Sequence, residues 1–237
     1  MIAGRSYHSN PNWGTLVHQH SFPKEQYVMS ELMTAVERPR ATASPSSKVN
    51  PARELKSRNG SSKVTPKLST KVFCTSFESR IGKIYVASTE KGVCKISVPH
   101  ESHRAFFNWL SETFESESVV DNRSRNKDII DQLNRYFNGK LVKFTCAVDL
   151  MGTPFQQHVW RELQRVGYGS TSTYQQIGRK VGHKNAAQAV GRAVSANPLP
   201  IIVPCHRILG ADGSLTGYSC GIKTKEFLLR LEGAILI

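Results

Sequence analysis

The chain has 237 residues, 39% of them hydrophobic, and a formal net charge of +14. That is enough apolar material for one large or two small cores, and the excess of Lys and Arg implies a polyanionic partner, because basic side chains gain free energy by displacing phosphate counterions. No apolar run approaches the roughly 20 residues that a membrane-spanning helix needs, and the N-terminus lacks a continuous apolar segment of signal-peptide type, so a soluble intracellular chain with no membrane partner is expected.

Residues 1–70 are rich in Ser, Pro and Asn, carry ten basic and four acidic side chains, and follow neither a strand nor a helix period; they predict a disordered basic tail. The patch Lys56-Ser57-Arg58, with Lys63 and Lys67, is a candidate nuclear-import or nonspecific DNA-binding segment, and a nuclear location is expected. Residues 71–150 predict a small α/β domain. Three short strands, near Lys71–Phe77, Lys83–Ala87 and Val93–Val98, are separated by turns at Arg80-Ile81-Gly82 and Glu90-Lys91-Gly92. Helices over Glu101–Phe114 and Lys127–Phe137 follow, then a fourth strand over Lys143–Val148. Cys74 and Cys94 read as packing residues of strands.

From residue 151 to 237 the period becomes helical. Thr153-Pro154-Phe155-Gln156 supplies an N-cap, a proline at the first helical position and a capping-box Gln, with Phe155, Val159, Leu163 and Val166 along one face. Thr173-Tyr174-Gln175-Gln176 repeats the cap for a short helix ending at Val181-Gly182, and Asn185-Ala186-Ala187-Gln188 opens another that runs to Ala196. Two short helices joined by a Gly-containing turn outline a helix-turn-helix. The apolar run Leu199-Pro200-Ile201-Ile202-Val203 then predicts a buried strand that ends at Pro204-Cys205-His206-Arg207. A thiol attacks only as thiolate, so a nearby base or positive end must lower its pKa or take its proton; His206 is the nearest candidate. The five cysteines, Cys74, Cys94, Cys146, Cys205 and Cys220, contain no CxxC pair, which argues against a disulfide framework or a zinc knuckle.

With Asn197-Pro198 before this run, Gly217-Tyr218-Ser219 after it and Lys225 to Gly233 beyond, the segment from about Gly152 to Gly233 resembles the O6-alkylguanine-DNA alkyltransferases, suicide repair proteins that move an alkyl group from guanine onto their own cysteine. The resemblance implies an α+β fold, with a ribonuclease H-like N-terminal α/β domain and a mainly helical C-terminal helix-turn-helix domain that carries the reactive cysteine. It implies binding in the minor groove, rotation of the damaged nucleotide into a pocket, and irreversible transfer of one alkyl group per molecule to Cys205. His206 would take the thiol proton through a water, Glu232 would hold the imidazole tautomer, Asn197 would tie the turn before the cysteine, and Tyr174 would donate to the guanine as it leaves. Tyr218 and Ser219 would cover the flipped base, and Gln188, Ala187, Arg207, Ile208, Val194 and Pro200 complete the expected substrate and DNA contacts. No cofactor and no metal are implied for the transfer. Some relatives hold a structural zinc in the N-terminal domain, but only Cys94 falls near a ligand position. The expected partner is double-stranded DNA containing O6-alkylguanine, bound by a monomer.

Two positions depart from the family. Gln188 stands where an arginine usually enters the base stack, which predicts weaker DNA binding or slower base extrusion, and Cys220 stands where glycine usually follows the loop serine. Two rival readings are a module that binds alkylated DNA without repairing it, which the Cys205, His206, Glu232 set opposes and Gln188 leaves open, and a cysteine hydrolase, for which no glycine-rich oxyanion donor loop is evident near Cys205.

Overall fold

The computed structural model describes residues 66–182, 187–215 and 218–235; positions 1–65 of the basic tail and the Asn185 end of the predicted cap lie outside them, while residues 66–70, expected to be disordered, are held by a bridge between Leu68 and Phe114, with Leu68 N–H on Thr113 O at 2.8 Å. Strands β1 (Val72–Ser79), β2 (Gly82–Thr89) and β3 (Gly92–Ser97) form the expected meander, joined at its β1 edge by β4 (Val119–Asp121). The sheet order is β3-β2-β1-β4, with β1–β2 and β2–β3 antiparallel and β1–β4 parallel.

Alternation along the strands, reset in β3 by a register shift opposite Ala87 and Ser88, divides the sheet's two faces. Val72, Cys74, Ala87 and Cys94 pack under Phe106, Phe107 and Leu110 of helix α1 (His103–Thr113). Phe77, Ile84, Val86 and Ile96 face the other way, toward helix α2 (Lys127–Phe137), and belong to a cluster that continues without a break into the C-terminal helices. Burial pushes the Cys74 and Cys94 thiols up to about 12, as suits packing residues. The Cys94 sulfur sits 3.4 Å from the Ala87 carbonyl, and no group of three or more His, Cys, Asp or Glu side chains comes together among the described residues, so the side chains around Cys94 do not fit a zinc site.

Two predicted strands are absent. Residues 143–148 lie outside the sheet, with bends at Lys143 and Cys146, and meet β3 only at the bridge between Val93 and Val148. Its Thr145 amide is taken by the Gln132 side chain rather than by a neighbouring strand, while Val93 N–H reaches Ala147 O at 2.9 Å. Gly92 permits that approach: a Cβ there would lie 2.5 Å from the Ala147 carbonyl. The apolar run before Cys205 is a tight turn, closed by Val203 N–H to Leu199 O at 2.9 Å. Pro198, Pro200 and Pro204 have no amide hydrogen to give a sheet, and Ile201 takes φ 77°, a conformation that β-branched residues adopt only under constraint.

The C-terminal helices follow the sequence closely. Helix α3 (Pro154–Gln164) and helix α4 (Tyr174–Lys180) each carry a complete capping box, Thr153 with Gln156 and Thr173 with Gln176. Helix α5 (Ala187–Ser195) packs on both through Val190, Ala193 and Val194, and Trp160 Nε1 donates to Ala193 O at 2.8 Å. A two-residue strand β5 (Ser172–Thr173) lies parallel to β6 (Ile208–Leu209), and helix α6 (Ile222–Leu231) closes the chain. No helix among the described residues is long and apolar enough to cross a membrane.

Candidate active site

The turn that follows α5 places the sulfur. Asn197 accepts from the Leu199 amide through Oδ1 at 3.0 Å, and its Nδ2 donates to Val203 O at 2.8 Å and to Cys205 Sγ at 3.0 Å. One side chain thus fixes the turn and touches the thiol. Cys205 begins a single 3-10 turn, Cys205–Arg207, which sends the three side chains in different directions.

His206 is fully buried and its Nε2 lies 2.9 Å from Glu232 Oε1. Glu232 is a carboxylate, so Nε2 carries the hydrogen and Nδ1 has its lone pair in the ring plane. Nδ1 finds no hydrogen-bond partner among the described protein atoms. Glu232 caps α6 and receives four bonds: His206 Nε2 and Tyr136 Oη on Oε1 (2.9 and 2.6 Å), and the Arg207 fork on both oxygens (2.8 Å each). Burial would raise this carboxyl, but the hydrogen bonds from His206 and Arg207 outweigh it and hold Glu232 at about 2. Burial likewise pushes His206 below the ordinary histidine value despite Glu232, so the imidazole is neutral near pH 7 and free to accept a proton.

Of the two routes open to the thiol, a lowered pKa or a base that takes its proton, the first is not the one seen. Cys205 is 3% exposed, and burial, with the nearby Cys220, pushes it up to about 12 against the opposing effects of the Asn197 hydrogen bond and the Lys225 charge. The sulfur rests as a thiol because taking it out of water disfavours the anion more than its neighbours favour it.

Around this centre the expected residues divide. Tyr174, at the first position of α4, is half-buried and close enough to Cys205 for the sulfur to affect its acidity. Tyr218 is buried beside Cys205 and Cys220, while Ser219 is exposed, with Oγ 3.9 Å from Cys220 Sγ. Ala187 and Gln188 are exposed on α5. Val194, Pro200 and Ile208 are buried, so they can meet a substrate only from within a pocket wall. Arg207, expected against DNA, turns inward: its guanidinium is committed to Glu232 and to Val166 O, and it lies over the Tyr168 ring.

Two participants were not read from the sequence. Lys225 is fully buried and donates from Nζ to Ile208 O, and burial lowers it to about 8. Its place with Leu228 and Leu229 on the buried face of α6 is a signal that sequence inspection could have used, since a lysine at a core-facing helix position needs a partner. Tyr136 gave no such signal, because an aromatic residue on the apolar face of α2 reads as core.

Comparison with known proteins adds to this geometry. Residues 72–150 match the family model described as 6-O-methylguanine DNA methyltransferase, ribonuclease-like domain, and residues 154–234 the one described as its DNA binding domain. A methylated-DNA-protein-cysteine methyltransferase of Methanosarcina acetivorans is 40% identical over 158 residues, covering 67% of this chain and 96% of the relative. One of Mycobacterium bovis is 52% identical over 103 residues, 44% of this chain and 62% of the relative. Among solved structures, that of Mycobacterium tuberculosis OGT in complex with DNA superposes with a TM-score of 0.60 at 36% identity, covering 68% of this chain and 93% of that one. These relatives come from archaea and bacteria, which have no nucleus, so the nuclear location expected from the basic tail is overturned.

Proposed function

From membership of the O6-methylguanine DNA methyltransferase family, to which this chain belongs, we propose that Cys205 is the sulfur that receives the alkyl group. The protein binds DNA and performs direct repair by transferring an alkyl group to one of its own cysteines. The observation that carries the choice of Cys205 is its setting: Asn197 bonds the sulfur, and His206, next in the chain, has Nε2 on Glu232 and leaves Nδ1 without a partner among the described protein atoms.

The substrate is O6-alkylguanine in double-stranded DNA, met from the minor groove with the exposed Ala187 and Gln188 of α5 toward the bases, and the damaged nucleotide is rotated out of the stack. Tyr218 moves aside to admit it and then packs against it, with Ser219 near O6. The thiol proton passes from Sγ, through a water, to His206 Nδ1. The sulfur forms a bond to the alkyl carbon, the carbon–O6 bond breaks, and the leaving guanine takes a proton from Tyr174, which the proton held on His206 then restores, so that thiol and alkylguanine become thioether and guanine and both side chains end as they began. Glu232 stabilises the imidazolium that forms in between, as an orienting carboxylate does in other nucleophile–base pairs. A thiol that is acidic only when its proton can move to His206 stays unreactive until the pocket is filled. The thioether has no easy reverse reaction, so each monomer acts once.

Mass spectrometry of the protein after mixing with a duplex containing O6-methylguanine tests this. One methyl on the peptide containing Cys205 is expected; methyl on the Cys220 peptide, or DNA binding with no gain of mass, would sink the assignment.

A further inference from the structure

Helix α2 belongs to the N-terminal unit, to which the sequence assigns no chemistry, yet it delivers a side chain to the centre of the site. Tyr136 is 1% exposed and its hydroxyl donates to Glu232 Oε1 at 2.6 Å, across 96 positions of sequence. Its ring is fixed by Phe137, Phe144 and Tyr168, with centroids 5.5, 5.4 and 6.2 Å away.

We infer that Tyr136 is a positioning residue for the alkyl transfer, its hydroxyl holding Glu232 in the orientation that presents Oε1 to His206. This rests on the roles given above to Cys205, His206 and Glu232. The Arg207 fork grips both oxygens of Glu232, and a carboxylate held by a bidentate guanidinium alone tends to align with that fork. The phenol pins the one oxygen that His206 also uses, in a direction the guanidinium does not supply. Burial beside Glu232 raises Tyr136 far above the ordinary phenol range, so the hydroxyl keeps its hydrogen and acts as a fixed donor. A phenylalanine would fill the same aromatic cluster equally well, so the hydroxyl is not needed for packing. The other charged or titratable groups that face Tyr136, Glu232 and His206 are Arg207, Lys225, Tyr168 and Tyr218; of these only Arg207 donates to Oε1, through Nη2 of its fork.

The test is Tyr136→Phe, with transfer measured from free O6-benzylguanine so that DNA binding does not enter. The expected result is a rate about tenfold lower, the scale of one hydrogen bond to a charged acceptor, with the acid limb of the pH–rate profile displaced to lower pH because His206 loses its aligned carboxylate. A wild-type rate, or a slower rate with the limb unmoved or raised, would overturn the proposal; a role in packing alone would lower the melting temperature without moving the limb. In the unmodified protein the Tyr136 hydroxyl proton is expected as a slowly exchanging downfield NMR resonance, and its absence would overturn the proposal even where the variant does not fold. The site of benzyl attachment separates the two readings. Benzyl on a cysteine other than Cys205 in the unmodified protein removes the premise, whereas benzyl on Cys205 with no effect of Tyr136→Phe removes only the role of Tyr136.

Discussion

Cys220 is where this chain differs most consequentially from the glycine usual in the resemblance. It is 7% exposed and lies close enough to Cys205 and Tyr218 to affect the acidity of both, so its side chain occupies space beside the proposed acceptor sulfur that a glycine would leave empty. A core-like position tolerates added volume poorly. Cys220→Gly is therefore expected to raise the rate of benzyl transfer relative to methyl transfer by about tenfold, read by competition between the two substrates; an unchanged ratio would place Cys220 outside the alkyl pocket. Gln188 is exposed on α5. Gln188→Arg should speed repair of duplex DNA by about three- to tenfold, because it adds a charge beside a polyanion, and should leave transfer from the free base unchanged. A duplex rate that stays the same or falls would count against an intercalating role for this position.

Elements bounded by local chemistry were legible in the sequence. Both capping boxes are present because a Thr hydroxyl and a Gln three residues on satisfy orphan amides whatever surrounds them. The segments 143–148 and 199–203 look like strands by composition, but nothing local specifies a pairing partner: one gives an amide to Gln132 and the other folds back on itself under three prolines. The site divided in the same way. Cys205, His206, Asn197 and Glu232 carry motif spacing, whereas the inward turn of Arg207 and the contact from Tyr136 depend on which surfaces meet in the fold. Helix α4 has 7 residues, too few to be stable without its cap and its packing, and it carries Tyr174 at its first position. Thr173→Ala removes the cap at a cost of about 1 kcal/mol, which for a chain of this size lowers the melting temperature by roughly 2–4 °C. It should also slow transfer from duplex DNA more than it lowers stability, since Tyr174 loses its fixed start. Equal repair rates in the two proteins would mean that α4 is held by packing alone.

In the whole molecule, Glu232 is the joint at which α2, the Cys205 turn and α6 meet, so the groups proposed to prepare the reaction also hold the fold together. The ordinary value of its carboxyl is 4.5 and the folded value about 2. A carboxylate depressed in the folded state stabilises the protein above its unfolded value, and that contribution is lost as pH falls through the folded one, here over roughly pH 4.5 to 2. The size is on the order of 3 kcal/mol for the shift. His206 acts in the same direction, because it is lowered by burial: unfolding lets it take a proton, which begins to favour the unfolded chain below the ordinary histidine value. Acid should therefore destabilise the protein in two stages, the first from His206 and the second from Glu232. Glu232→Gln leaves Arg207 buried without its counter-charge, costing about 3–5 kcal/mol at neutral pH, but it also removes the second stage. Thermal melts from pH 7 to pH 3 are expected to show the variant less stable at the upper end and the two curves converging toward the lower. Parallel curves would mean that the Glu232 carboxyl titrates in the folded protein as it does in the unfolded chain, so that its contacts with His206 and Arg207 do not favour the anion, and the proposed stabilisation of an imidazolium by Glu232 would lose its support.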